Sequence, residues 1–90
     1  MEFLEKNILV SGIDIHLPLE SDVNLLTNKA IYYICTTNGN ELNLPQLEMY
    51  GMLYVLRTWD IVTQLIFCTN HIYFRCWVSY LNAPSFIRLV

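Results

Sequence analysis

The chain has 90 residues, 54% of them hydrophobic and 14% charged, with a formal net charge of −3. That bounds it to one domain, excludes disorder, and leaves no basic patch for nucleic acid, because the five Lys and Arg residues are spread singly. The charged share falls well below the usual value of about 25%, and a domain this small buries only roughly 60–65% of its unfolded surface, so the surplus apolar surface asks for a partner.

The N-terminus carries Glu2, Glu5 and Lys6 before any apolar run, which does not read as a secretory signal. Phe3, Leu4 and Ile8 fit the start of a short helical turn. Ile13, Ile15 and Leu17 then alternate with Gly12, Asp14 and His16, which is strand periodicity, and Pro18 ends the run. Residues 1–20 are read as an arm or edge strand, and 21–90 as the domain proper. Glu20 to Lys29 places Ser21, Asp22, Asn24 and Thr27 around Val23, Leu25 and Leu26, which predicts a single helical or 3₁₀ turn. Ala30 to Thr36 is β-branched and aromatic, hence a strand. Asn38-Gly39 follows as a turn dipeptide tolerant of positive φ. A loop fixed by Pro45 and closed by Gly51 comes next.

From Met52 onward strand is nearly continuous: "MLYVLR", a turn at Thr58-Trp59-Asp60, "IVTQLIFC", a turn near Thr69-Asn70, "HIYFRCWVSY", the loop "LNAPS", and a last strand "FIRLV". Short strands at close spacing predict an all-β fold, a small antiparallel sandwich or meander, with helix confined to the region before Lys29. The uncharged run from Ile61 to Phe74 is shorter than the ~20 residues a spanning helix needs, and it contains Gln64, Asn70 and His71. No membrane insertion is expected.

The strands over residues 61–80 are apolar on both faces. Ile72, Phe74, Cys76 and Val78 would supply the core, which leaves Tyr73, Arg75 and Trp77 as the expected oligomer interface. Gln64 and Arg75 sit mid-strand and are expected to be hydrogen-bonded across neighbouring strands or across a subunit boundary, since an unpaired buried charge is costly. The other reading of Arg75 is as a binder of a receptor carboxylate.

Three cysteines, Cys35, Cys68 and Cys76, cannot form a complete intrachain disulfide framework. They read as small buried hydrophobes, with a Cys68–Cys76 bridge across the hairpin as the alternative. His16 and His71 suggest no local metal pair, and no metal or other cofactor is expected. Cys68 and His71 stand three residues apart, but no orienting acid or oxyanion hole accompanies them, so no enzymatic activity is expected.

The pieces in order resemble the knob domains of phage tail fibres and R-type pyocins. The matching residues are Asp22-Val23-Asn24 with Thr27, Ile31-Tyr32-Tyr33-Ile34, Asn43-Leu44-Pro45, Gly51 with Leu53 and Val55, Val62-Thr63-Gln64, Ile72-Tyr73-Phe74-Arg75, and Ser85-Phe86-Ile87-Arg88-Leu89. Ala30 stands where the family usually has glycine, and Phe86 where it usually has tryptophan. The resemblance implies a small β domain of a virion fibre, spike or tip. Such domains commonly assemble as a homotrimer, and here residues 1–20 would dock onto other tail-fibre or baseplate proteins. It also implies binding to a host cell-surface glycan or a role in particle assembly. Sugar faces stack on aromatic rings, while Asn, Asp and His side chains read hydroxyls, and loops present such groups to solvent. Trp59, Asp60, Asn70 and His71 are the candidate binding residues. The other reading of Trp59 is a ring folded over the sheet edge as packing. If the strands form a meander, the two turns lie at opposite ends of the sheet and join in one site only across a protomer boundary. The alternative function is a small intracellular phage or bacterial protein that caps a larger partner through its apolar sheet.

Overall fold

A computed structural model describes residues 14–90; the helical turn expected at Phe3 to Ile8 lies outside them. The fold is all-β. Six strands form one sheet in sequence order: β1 (Asp14–Pro18), β2 (Ala30–Thr36), β3 (Met49–Thr58), β4 (Ile61–Cys68), β5 (Ile72–Val78) and β6 (Ile87–Arg88). Strands β2 to β6 form an antiparallel meander, while β1 runs parallel to β2. The result is a meander rather than a sandwich, because among the described residues there is one sheet and no second one facing it.

A parallel pair cannot be closed by a tight turn and needs a crossover. That crossover carries a 3₁₀ turn at Val23–Leu25, opened by Asp22, whose Oδ1 accepts the Asn24 N–H at 2.8 Å. It buries Val23 completely among the core side chains. A second 3₁₀ turn, Gly39–Leu42, ends at Asn43 with φ 60. It lies beyond Lys29, and β3 begins at Met49, so the expected loop from Glu41 to Gly51 is shorter and partly helical. The positive φ falls on Asn43, not on Asn38, whose φ is −129. Gly39 is needed for a close approach instead. Its N–H donates to the Leu47 carbonyl at 2.6 Å, and a Cβ there would run into the Gln46 carbonyl oxygen. Gly51 likewise leaves no room for a Cβ beside the Phe67 carbonyl of β4.

The register fixes the two faces. Leu53, Val55, Val62, Gln64, Ile66, Tyr73, Arg75 and Trp77 point to one side and are all buried. Loops rather than a second sheet cover this inner face, with Leu19, Leu26, Leu42, Leu44, Ala83 and Phe86 packed against it. The outer face carries Met52, Tyr54 and Leu56 of β3, Ile61, Thr63, Leu65 and Phe67 of β4, and Ile72, Phe74, Cys76 and Val78 of β5, all half-buried or exposed. The expected assignment of β5 is therefore reversed. Tyr73, Arg75 and Trp77 belong to the protomer's own core and are not free for an oligomer interface. The periodicity of β5 defines two faces without ranking them, and Tyr73 and Trp77 bring more apolar surface than Cys76 and Val78.

The cysteines are also placed differently from expectation. All three are free; Cys35 and Cys76 are exposed and Cys68 is half-buried. Cys76 pairs with Thr63 on the outer face, while Cys68 pairs with Gly51 in line with the inner residues. A Cys68–Cys76 bridge would have to cross the sheet.

Candidate functional site

Two mid-strand polar residues organise the inner face. Gln64 on β4 and Arg75 on β5 are direct register partners, and the Arg75 Nε donates to Gln64 Oε1 at 2.9 Å. Gln64 Nε2 in turn donates to the carbonyls of Val23 and Leu26, both at 2.8 Å. Arg75 Nη1 donates to Asn24 Oδ1 and to the Pro84 carbonyl, each at 2.9 Å. The two side chains thus tie the crossover and the C-terminal loop onto the sheet. Both are almost wholly buried, Gln64 at 0% and Arg75 at 3% exposure. Of the two alternatives for these residues, bonding within the protomer is the one observed.

Two aromatic rings pack against the guanidinium. The Phe86 ring lies 3.9 Å from its carbon and the Trp77 ring 4.8 Å, cation–π geometry that is favourable where water is excluded. Burial lowers the Arg75 pKa to about 10, with the Asp22 carboxylate pulling it back up, so the group is cationic at neutral pH. Its hydrogen-bond partners, Gln64, Asn24 and Pro84, are all neutral. Nη2 is buried and has no hydrogen-bond partner among the described residues. Arg75 also forms part of the wall of a cavity of about 390 Å³, completed by Asn24, Asn43, Leu44, Pro45 and the segment from Ala83 to Phe86.

The four expected binding residues separate into two pairs. Trp59 and Asp60 form the β3–β4 turn, and Asn70 and His71 lie at the β4–β5 turn, at the other end of β4. Eight residues of strand separate them, about 25 Å at the usual strand rise. Trp59 is not folded over the sheet edge: it is 92% exposed. Its φ of 55 is left-handed, a genuine outlier for a bulky residue. It occupies the first central position of a two-residue hairpin turn, which type II′ turns give to glycine. Arg57 holds the turn in place. Its Nε donates to the Trp59 carbonyl, its Nη1 to the Thr27 carbonyl at 3.1 Å, and Asp60 lies 3.8 Å from its Nη2.

Asn70 and His71 line a smaller hollow of about 230 Å³ with Gln46, Glu48, Tyr50, Cys68 and Thr69. Tyr50 Oη donates to Glu48 Oε1 at 3.2 Å. Partial desolvation and the Glu48 carboxylate raise the Tyr50 phenol above its ordinary value. Gln46 Nε2 donates to Tyr73 Oη at 2.7 Å. Cys68 Sγ contacts the His71 carbonyl at 3.3 Å, while the imidazole Nδ1 faces the Val90 carbonyl at 3.1 Å, so thiol and ring are not arranged as a nucleophile and base. Among the described residues no group of three or more His, Cys, Asp and Glu side chains is placed to hold a metal, and no helix is long and apolar enough to cross a membrane.

Sequence reasoning missed the Arg75 cavity and the contribution of Gln46, Glu48 and Tyr50 to the His71 hollow. Both depend on loops folding back over the sheet, which strand periodicity does not encode. The one available signal was the pair of polar residues, Gln64 and Arg75, in otherwise apolar strands. Comparisons with family models, with curated proteins and with solved structures found no match.

Proposed function

We propose that this chain is a non-enzymatic, knob-like β domain of a phage-like particle, a fibre, spike or tip component made in the bacterial cytoplasm and carried on the virion. In this reading its turns meet a host-surface saccharide. Its outer sheet face joins copies of itself, as a homotrimer, or other tail-fibre and baseplate proteins. The observation that carries the reading is the Gln64–Arg75 network. Asn24, Gln64 and Arg75 come from three separate pieces of the knob pattern, with Asn24 and Arg75 51 positions apart, and they meet in one hydrogen-bonded cluster capped by Phe86 from a fourth. Scattered short motifs acquire a common physical reason when they build one buried hub. Trp59 adds support, since an exposed aromatic held at a strained φ is a position where backbone cost is commonly retained for contact with a ligand.

Particles sedimented from a producing culture and stained with gold-labelled antibody to this chain test the proposal. Label at fibre ends or on the baseplate is the expected result. A chain confined to the soluble fraction, absent from purified particles, would overturn it. The second reading, a protein that caps a larger intracellular partner, draws on the uncharged outer face. It requires a soluble one-to-one complex with a different protein in place of a self-association.

A further inference from the structure

We infer that the cavity beside Arg75 is a binding site for the carboxylate of an acidic saccharide, which meets the unpartnered edge of the guanidinium between the Asn43–Pro45 loop and the Ala83–Phe86 loop. The site deepens the saccharide reading proposed above and rests on it for the sugar class alone.

A guanidinium has five N–H donors. In Arg75 the Nε hydrogen goes to Gln64 and the two on Nη1 go to Asn24 and Pro84, so both hydrogens on Nη2 remain without an acceptor. A buried donor left unmatched is costly, more so on a charged group. The Phe86 and Trp77 rings pack against the guanidinium carbon, and the two Nη2 hydrogens are its remaining donors. A carboxylate suits these donors, because its oxygens accept in the guanidinium plane and its charge offsets a cation whose hydrogen-bond partners are all neutral.

The cavity volume of about 390 Å³ falls in the range of small-molecule sites, roughly 300–1,000 Å³, and exceeds what a bare carboxylate needs. Asn43 and Ser85 offer hydroxyl-matching groups at the rim, and Leu44 and Pro45 an apolar wall. This mixture suits a sugar ring. Arg75 lines the cavity but its Nη2 is buried, so the ligand reaches it as the Ala83–Phe86 loop, which has no regular secondary structure, yields outward.

The test is a ¹⁵N-labelled titration of the full chain with glucuronate, glucose and acetate in parallel. Glucuronate should shift the amides of Asn24, Leu44 and Ser85 and the Arg75 Nε signal, with a Kd on the order of 1 mM, while glucose leaves them unmoved. Ser85→Glu sets a like charge at the rim without touching the hub, and it should weaken glucuronate binding by about tenfold. Arg75→Lys should abolish binding if it folds. No shift with glucuronate, or full binding by Ser85→Glu, would overturn the site. Acetate binding as tightly as glucuronate would overturn the saccharide class. Neither result depends on where the chain resides, so they separate from failure of the particle reading.

Discussion

Leu65→Asp and Trp77→Ala should have opposite consequences. Leu65 is at the middle of the outer face, flanked in register by Tyr54 and Phe74, and is half-buried in the protomer. Trp77 is 8% exposed, packs in the core cluster, and lies over the Arg75 guanidinium. Truncating a buried tryptophan costs about 3–5 kcal/mol, a large part of the roughly 5–15 kcal/mol that holds a small domain folded. At about 4–8 °C per kcal/mol, Trp77→Ala should lower Tm by more than about 10 °C or abolish the cooperative transition. Leu65→Asp removes one leucine from an assembled face, about 1.5–3 kcal/mol per protomer, and adds the cost of burying a carboxylate there. It should dissociate the assembly and leave the protomer folded. Sedimentation velocity and thermal melts by circular dichroism on both variants read the two effects. If Leu65→Asp melted as early as Trp77→Ala, or if wild type were monomeric, the outer face would not be an assembly surface. Trp77→Ala melting like wild type would refute the inner-face assignment.

Gln64→Leu strands the Arg75 Nε and the Leu26 carbonyl and leaves the Val23 carbonyl with the Leu26 N–H alone; at about 1–3 kcal/mol per orphaned group, Tm should fall by about 8 °C or more, and a fall within a few degrees would show that the network is dispensable. Trp59→Gly relieves the left-handed φ and should stabilise the chain by up to about 1 kcal/mol while weakening adsorption to host cells; a loss of stability would mean that the ring packs. Thiol titration in denaturant without reductant should find three thiols, since all three cysteines are free. Alkylation of native Cys76, on the outer face, should be faster in Leu65→Asp than in wild type, and equal rates would place Cys76 outside the assembly contact.

Strand composition made most of the sheet legible. β2 runs from Ala30 to Thr36 as β-branched and aromatic content predicts, and the hairpin turns fall where polar residues break the apolar runs. Three features were not legible. The parallel pairing of β1 is non-local, and nothing in its alternation distinguishes it from an antiparallel edge. Asn38-Gly39 looks like a hairpin turn, but the glycine serves a close contact with the segment around Gln46. The ranking of the β5 faces failed because Arg75 on one of them reads as an outer residue until its partners are known. Of the site, the turn residues were legible and their separation at opposite sheet ends followed from the meander. The cavity was not, because it is made by Asn43–Pro45 and Ala83–Phe86 meeting over Arg75.

A single sheet closed by loops poses a problem that a sandwich does not. The covering loops have no ladder of their own, so their carbonyls reach the core without partners. Leu26 and Pro84 are such carbonyls, and the donors that satisfy them come from Gln64 and Arg75; Gln64 also gives a second donor to the Val23 carbonyl, which already accepts the Leu26 N–H at 3.2 Å. Polar side chains in the middle of these strands are therefore what allows loops to serve as the second layer. The same arrangement concentrates unsatisfied capacity at one place, the Nη2 end of Arg75, because the loops supply the guanidinium with two acceptors, Asn24 Oδ1 and the Pro84 carbonyl, strand β4 adds Gln64 Oε1, and all three are neutral. Stability and ligand binding then draw on one group. A ligand held at Arg75 in the folded state alone adds about 2.7 kcal/mol of stability at one hundred times its Kd. It also fixes the C-terminal loop through the Pro84 carbonyl and the Phe86 ring. Glucuronate should accordingly raise Tm in wild type, do so much less in Ser85→Glu, and slow amide exchange first in the segment from Ala83 to Phe86.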